Sequence, residues 1–229
     1  MLKQSNETEK GGHRIISIQD CGEPLVTLEG ISPRIKTYPY YYLHQVPHAL
    51  EQCFLREGAA KRLVEAANYL PEGIDLLVLD AWRPFEVQHA LYEMIREELR
   101  QQEGMTEEKL VSELSKFVAR PSEDVERPSP HMTGGAVDVT LVNSSGWLNM
   151  GTQFDEFSEK ARADYYENLG TLSDEEITIK QNRQLLQSVM NQVGFTGYEE
   201  EWWHFNFGNP SWARKTNSIA IYKGIRKTS

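Results

Sequence analysis

Ala136-Val-Asp-Val-Thr-Leu141 constrains this chain more than any other stretch. It alternates with period two, so Ala136, Asp138 and Thr140 share one face of a strand while Val137, Val139 and Leu141 share the other. The apolar face anchors the strand and so holds Asp138 rigidly, as a metal ligand must be held. Gly134-Gly135, just before it, permits a sharp reversal or a close backbone approach. A reversal there brings the imidazole of His131 beside the carboxylate of Asp138. The plainer reading is a loop histidine and a solvated aspartate on the exposed face of an edge strand.

The flanking sequence mixes helices and strands without regular alternation. Residues 58–70 read as a helix that Pro71-Glu-Gly73 stops, and 74–79 is an apolar run of strand length. A helix is expected from Phe85 to about Leu99, with Val87, Leu91, Met94, Ile95 and Leu99 on one face. Another is expected from Thr106 to about Ala119, with Leu110, Val111, Leu114, Phe117 and Val118 inward. Pro121, Pro128 and Pro130 make 120–130 a loop. Residues 143–170 look irregular, and Ser173-Asp-Glu-Glu176 is a capping box opening a helix to about Gly194. Strands are expected at Trp202–Phe207 and Ser218–Tyr222. This pattern predicts an α+β fold. Residues 1–12 read as a flexible polar tail and 13–229 as one domain.

Composition narrows the function classes. The 229 residues carry 24 Lys and Arg against 34 Asp and Glu, a net charge of −10, which argues against a partner held through phosphates. No apolar run approaches the roughly 20 residues of a membrane-spanning helix. Met1–Lys10 has no apolar core of a secretory signal, and Cys21 and Cys53 stand in no metal or redox spacing. A cytoplasmic protein with no nucleic-acid or membrane partner is expected, with homo-oligomers left open.

Two further segments offer chemistry. Glu201-Trp-Trp-His204 sets a carboxylate three residues before an imidazole, the commonest zinc ligand among side chains. An unligated glutamate close to a metal can take a proton from its water. Residues i and i+3 of a regular strand point to opposite faces, so Glu201 belongs at a bend before the strand. Otherwise 199–201 is a solvated acidic run. Asp80-Ala-Trp-Arg-Pro84 puts charges at the end of a buried strand. There Arg83 can hold a carboxylate or oxyanion, and Asp80 can orient a histidine or Arg83 itself. A structural Asp80–Arg83 pair is the alternative. His44 and His48 have i, i+4 spacing, but Pro47 argues against a helix, and His89 reads as surface. Tyr38-Pro-Tyr-Tyr-Tyr42 either walls a pocket or packs in the core.

In combination, Asp80–Pro84, Ser129–Asp138 and Glu201–His204 resemble the D-alanyl-D-alanine dipeptidases of the VanX type. Those are zinc peptidases that share a fold with hedgehog signalling domains and bacterial D-Ala-D-Ala carboxypeptidases. The match spans roughly residues 74–207, and Asn149-Met-Gly-Thr-Gln-Phe-Asp155 is similar to a segment lining that family's substrate site. At the N-terminal side, Arg34–Tyr40 is only a loose counterpart of the family pattern.

The resemblance implies a small central antiparallel sheet with helices packed around it. It implies one Zn2+ held by His131, Asp138 and His204, Glu201 as general base and Arg83 as transition-state stabiliser. Ser129 and Asp155 become substrate contacts, Asp155 for the dipeptide's ammonium, and Asp80 supports the site from behind. The expected reaction is hydrolysis of free D-Ala-D-Ala or a related D,D-dipeptide. Alternatives are a D,D- or L,D-carboxypeptidase acting on muropeptides and a non-catalytic zinc-binding module.

Overall fold

In the computed structural model, which describes residues 16–226 apart from 103 and 157, the alternating stretch becomes an eight-residue strand with neighbours on both sides. The polar tail at 1–12 and His13 lie outside the described residues. In chain order the strands are β1 (Leu25–Thr27), β2 (Ile35–Thr37), β3 (Phe54–Arg56), β4 (Asp75–Asp80), β5 (Ala136–Asn143), β6 (Gly146–Trp147), β7 (Thr196–Gly197) and β8 (His204–Asn206). The helices are α1 (Tyr40–Leu43), α2 (Glu57–Tyr69), α3 (Phe85–Arg100), α4 (Glu107–Phe117), α5 (Asp174–Gln192) and α6 (Pro210–Thr216). The fold is α+β.

The main sheet runs β2-β4-β5-β8-β7, with β6 added to the far end of β5, and β1 pairs separately with β3. All pairs are antiparallel except β2 with β4, which is parallel, so the expected antiparallel sheet gains one parallel edge. A parallel neighbour needs a crossover, and the chain supplies it through α1, β3 and α2 between the two strands. Leu76, Leu77, Val78 and Leu79 are all buried because β4 is covered on both faces. Helix α2 gives Ala59, Ala60, Leu63, Ala66 and Ala67 to this core, and α5 gives Leu186, Val189 and Met190. Ser173 caps α5: its hydroxyl accepts from the Glu176 N–H, and the Glu176 carboxylate accepts from the Ser173 N–H.

Helices α3 and α4 form a hairpin with its own small core of Leu99, Leu110 and Leu114. Met94 and Val111 were expected inward but are exposed, since a two-helix hairpin buries only the stripe between its members. The expected strand at Ser218–Tyr222 reduces to a single bridge between Ile18 and Ala220. The N–H groups of Ile221 and Tyr222 both converge on the Gly208 carbonyl, which leaves no ladder to extend. His44 ends α1 with its ring stacked on Tyr40, and His48 lies beyond it at φ 66°, so the two make no chelating pair.

Candidate active site

The register of three strands assembles the centre. On β5, Asp138 lies opposite Asp80 of β4 on one side and opposite His204 of β8 on the other. Directly opposed residues of antiparallel strands point to the same face, so backbone pairing alone brings these side chains together. Asp138 therefore sits in the middle of the sheet and is buried, not solvated on an edge.

His131 arrives from a tight turn. Residues His131–Thr133 form one turn of 3-10 helix, and Gly134 follows at φ 68°, a conformation open to glycine. A Cβ on Gly135 would lie 2.3 Å from the Phe207 carbonyl, so only glycine lets the chain pass this close to the residue after β8. The Arg83 N–H donates to the His131 carbonyl at 3.2 Å, tying the turn to the end of β4.

His131 Nε2, His204 Nδ1 and one Asp138 oxygen lie within 4.8 Å of one another, all on buried residues. Nε2 of His131 is 3.1 Å from Nδ1 of His204, and Asp138 Oδ1 is 2.9 Å from that same Nδ1. Each imidazole uses its other nitrogen as a donor. His131 Nδ1 donates to the Ala81 carbonyl at 2.7 Å, with Asp80 Oδ2 at 3.3 Å, and His204 Nε2 donates to Asn206 Oδ1 at 3.2 Å. These bonds select the tautomers that leave the facing nitrogens free for a metal. Two imidazoles and one carboxylate with space for a fourth ligand are the donor set of a catalytic zinc site. Burial alone would raise the Asp138 pKa, but the His131 and His204 imidazoles hold it well below the usual carboxylate range.

Glu201 stands in the turn before β8, at the bend its spacing demanded, with Oε2 3.8 Å from His204 Nδ1. Burial raises its pKa to about 7, against the lowering pull of His204. Such a carboxylate is poised to take and return a proton near neutral pH.

Arg83 is held from three sides. Its Nε and Nη2 donate to Asp80 Oδ2 at 2.9 and 2.8 Å, and its Nη1 donates to Gln88 Oε1 at 2.9 Å. The guanidinium lies over the Tyr41 ring, 4.8 Å from its centroid, and 3.7 Å from Asp138 Oδ2. Although burial opposes its charge, Asp80 and the neighbouring groups hold it protonated. Asp80 thus contacts both Arg83 and His131, where the sequence left the two partners as alternatives.

Asp155 sits at φ 64° with Oδ2 3.3 Å from the Tyr41 hydroxyl, and burial raises its pKa to about 6. One cavity of about 330 Å³ is lined by Ser129, Arg83, Asp155, Glu201 and the three ligand residues, together with Tyr41 and Gln88. Every residue singled out for the site except Asp80 lines this cavity, and Asp80 stands behind Arg83 and His131. Sequence reasoning missed Gln88, Asn206 and the specific part of Tyr41. Of these only Tyr41 left a signal, in the tyrosine cluster, of which Tyr38 and Tyr40 pack against aromatic neighbours and Tyr42 is exposed. His89 is exposed, as read.

Two donors fixed on paired strands and a third on a tight turn, with the Glu201 carboxylate at hand, fit a metal-dependent hydrolase. A family model described as D-Ala-D-Ala dipeptidase matches residues 43–221. The D-alanyl-D-alanine dipeptidase of Synechocystis sp. is 33% identical over 220 residues, covering 88% of this chain and 89% of that protein. The dipeptidase of Escherichia coli (strain K12) is 29% identical over 156 residues, 67% of this chain and 66% of the relative. Among solved structures, VanYB in complex with D-Alanine-D-Alanine is similar with a TM-score of 0.44 and 17% identity, covering 73% of this chain and 81% of that one. The chain belongs to the D-Ala-D-Ala dipeptidase family of peptidases.

Proposed function

We propose that this chain hydrolyses free D-Ala-D-Ala, or a closely related D,D-dipeptide, with one Zn2+ held by His131, Asp138 and His204. The observation that carries the reading is the placing of Glu201, Arg83 and Asp155 around a single ligand cluster in one cavity. A merely structural zinc needs neither a base nor a cation beside it. When bound, the metal supplies Lewis-acid polarisation and charge stabilisation.

The side chains divide the remaining work. Glu201 takes a proton from the attacking water as its oxygen bonds to the amide carbon. Arg83, anchored by Asp80 and Gln88, faces the negative charge that then develops on the carbonyl oxygen. Glu201 returns the proton to the leaving nitrogen as the C–N bond breaks, which releases two amino acids. Asp155 pairs with the substrate's α-ammonium, and Ser129 contacts the dipeptide from the wall of the cavity.

Among the described residues no helix is long and apolar enough to cross a membrane. A cytoplasmic location, where the free dipeptide is met, belongs to the same proposal and is read by cell fractionation. The substrate claim is tested with D-Ala-D-Ala, its N-acetylated form and a muropeptide pentapeptide side by side. D-Ala-D-Ala alone should be cut, because a blocked amine leaves the Asp155 carboxylate desolvated and unpaired. Preferential release of terminal D-Ala from the pentapeptide would move the chain to the carboxypeptidases.

A further inference from the structure

Arg183, on α5, is buried and lies outside the lining of the reaction cavity. Its three donor nitrogens all end on backbone carbonyls of the irregular segment that carries Asp155. Nε donates to Met150 at 2.8 Å, Nη1 to Arg162 at 2.8 Å and Nη2 to Lys160 at 2.8 Å. Met150 precedes Asp155, whereas Lys160 and Arg162 follow it, so one guanidinium bridges the inbound and outbound arms. The cation also lies 4.8 Å from the Tyr166 ring centroid and 5.6 Å from that of Trp202.

Among the described residues no carboxylate pairs with Arg183, and a buried cation so placed is costly. Burial pulls its pKa down to about 10, so it stays charged at neutral pH. What the charge accomplishes is the closure of a loop neck. Lysine's single ammonium cannot reproduce this planar fork of donors aimed in three directions.

The clamp reaches both halves of the site. Between Lys160 and Arg162, the Ala161 carbonyl accepts the N–H of Trp202, the residue after Glu201. The Trp202 indole in turn donates to Thr152 on the inbound arm at 2.8 Å. Asn182, beside Arg183 on α5, adds a bond to the Asn149 carbonyl at 2.9 Å. Asp155 stands on the loop so closed, in a left-handed conformation that the unconstrained chain rarely holds.

We infer that Arg183 is a positioning residue for substrate recognition: by closing the neck of this loop it holds the Asp155 carboxylate where the dipeptide's α-ammonium binds. The inference rests on the reading of Asp155 given above. Arg183 lines neither the cavity nor the ligand cluster, so the inference assigns its effect on ammonium recognition to the placing of Asp155.

The test compares two inhibitors, a phosphinate analogue of D-Ala-D-Ala and its counterpart lacking the amino group. Their inhibition constants are measured against D-alanine release from D-Ala-D-Ala. The ratio of the two isolates what the ammonium contributes. In Arg183→Lys this ratio should fall roughly tenfold from its wild-type value, with the amine-free compound inhibiting as before and zinc content unchanged. Arg183→Gln, which keeps a shorter neutral donor, is the second variant should the lysine fail to fold, and should show the same selective loss. Asp155→Asn should lower the ratio by itself, and adding Arg183→Lys should lower it little further. An unchanged ratio, or equal weakening of both inhibitors, would make Arg183 a general structural residue and overturn the inference. An unchanged ratio in Asp155→Asn would strike the ammonium reading itself, and the inference with it.

Discussion

Asp138 and His204 face each other across the antiparallel pair β5–β8, with 2.9 Å between Oδ1 and Nδ1. Two of the three proposed zinc ligands are thus set by strand register, which a packed sheet cannot shift without exposing its apolar face. The imidazole of His204 is fixed from behind, since Nε2 donates to Asn206 Oδ1, which also accepts from Asn209 Nδ2 at 2.7 Å. Asn206→Ala should therefore weaken zinc binding by about 10–100-fold while leaving the fold intact. A competitive chelator titration reads this directly; unchanged affinity would mean that Asn206 does not orient the ring.

Glu201 is close to His204 but stands outside the ligand set. Glu201→Ala should keep one zinc per chain and lose roughly 10²–10⁴-fold in turnover. Loss of metal, with residual activity tracking zinc content, would make Glu201 a ligand instead.

Arg83→Lys retains a charge but loses the planar fork that Asp80 and Gln88 hold. Turnover should fall by about 10²–10³-fold with little change in KM. A raised KM at normal turnover would assign Arg83 to ground-state binding.

Asp155 carries a stability cost with a defined pH window. Its pKa is about 6 in the fold against 3.8 for an ordinary aspartate, chiefly through burial, so ionisation opposes folding. Below the unfolded value both states hold the proton and there is no cost. The cost grows between about pH 4 and 6 and is complete above 6. In metal-free protein, Asp155→Asn should raise stability on the order of 2–3 kcal/mol at pH 8 and much less at pH 4. Asparagine also tolerates the left-handed backbone at this position. Thermal melts at the two pH values check this; equal melting shifts at both would remove the carboxylate as the cause.

His131, Asp138, His204, Glu201 and Arg83 could be singled out because each sits in a short motif shaped by strand alternation, a glycine reversal or a strand end, and the family resemblance joined those motifs into one proposed site. The plain reading of Asp138 as an edge-strand residue failed because both partners of β5, β4 and β8, lie more than 50 residues away in the chain. Gln88 and Asn206 lie close in the chain to Arg83 and His204, but no repeat or spacing marks them, and distance in sequence hid Arg183, whose carbonyl partners lie 21 to 33 residues away. The Ser218–Tyr222 segment looked like a strand by composition, yet its backbone donors were captured by Gly208. Tyr41 shows the intermediate case. Its cluster was visible, but only tertiary packing sets one tyrosine of the five-residue run against Arg83 and Asp155.

The central claim is that one zinc, held by His131, Asp138 and His204, makes this chain a D-Ala-D-Ala dipeptidase. It is tested most directly by titrating metal-free protein with zinc while following D-alanine release from D-Ala-D-Ala. Activity should rise in proportion to added zinc up to one equivalent per chain and then level off, and His204→Ala should show no such rise. Dipeptide cleavage that is indifferent to zinc, or a zinc-loaded protein that leaves D-Ala-D-Ala intact, would contradict it.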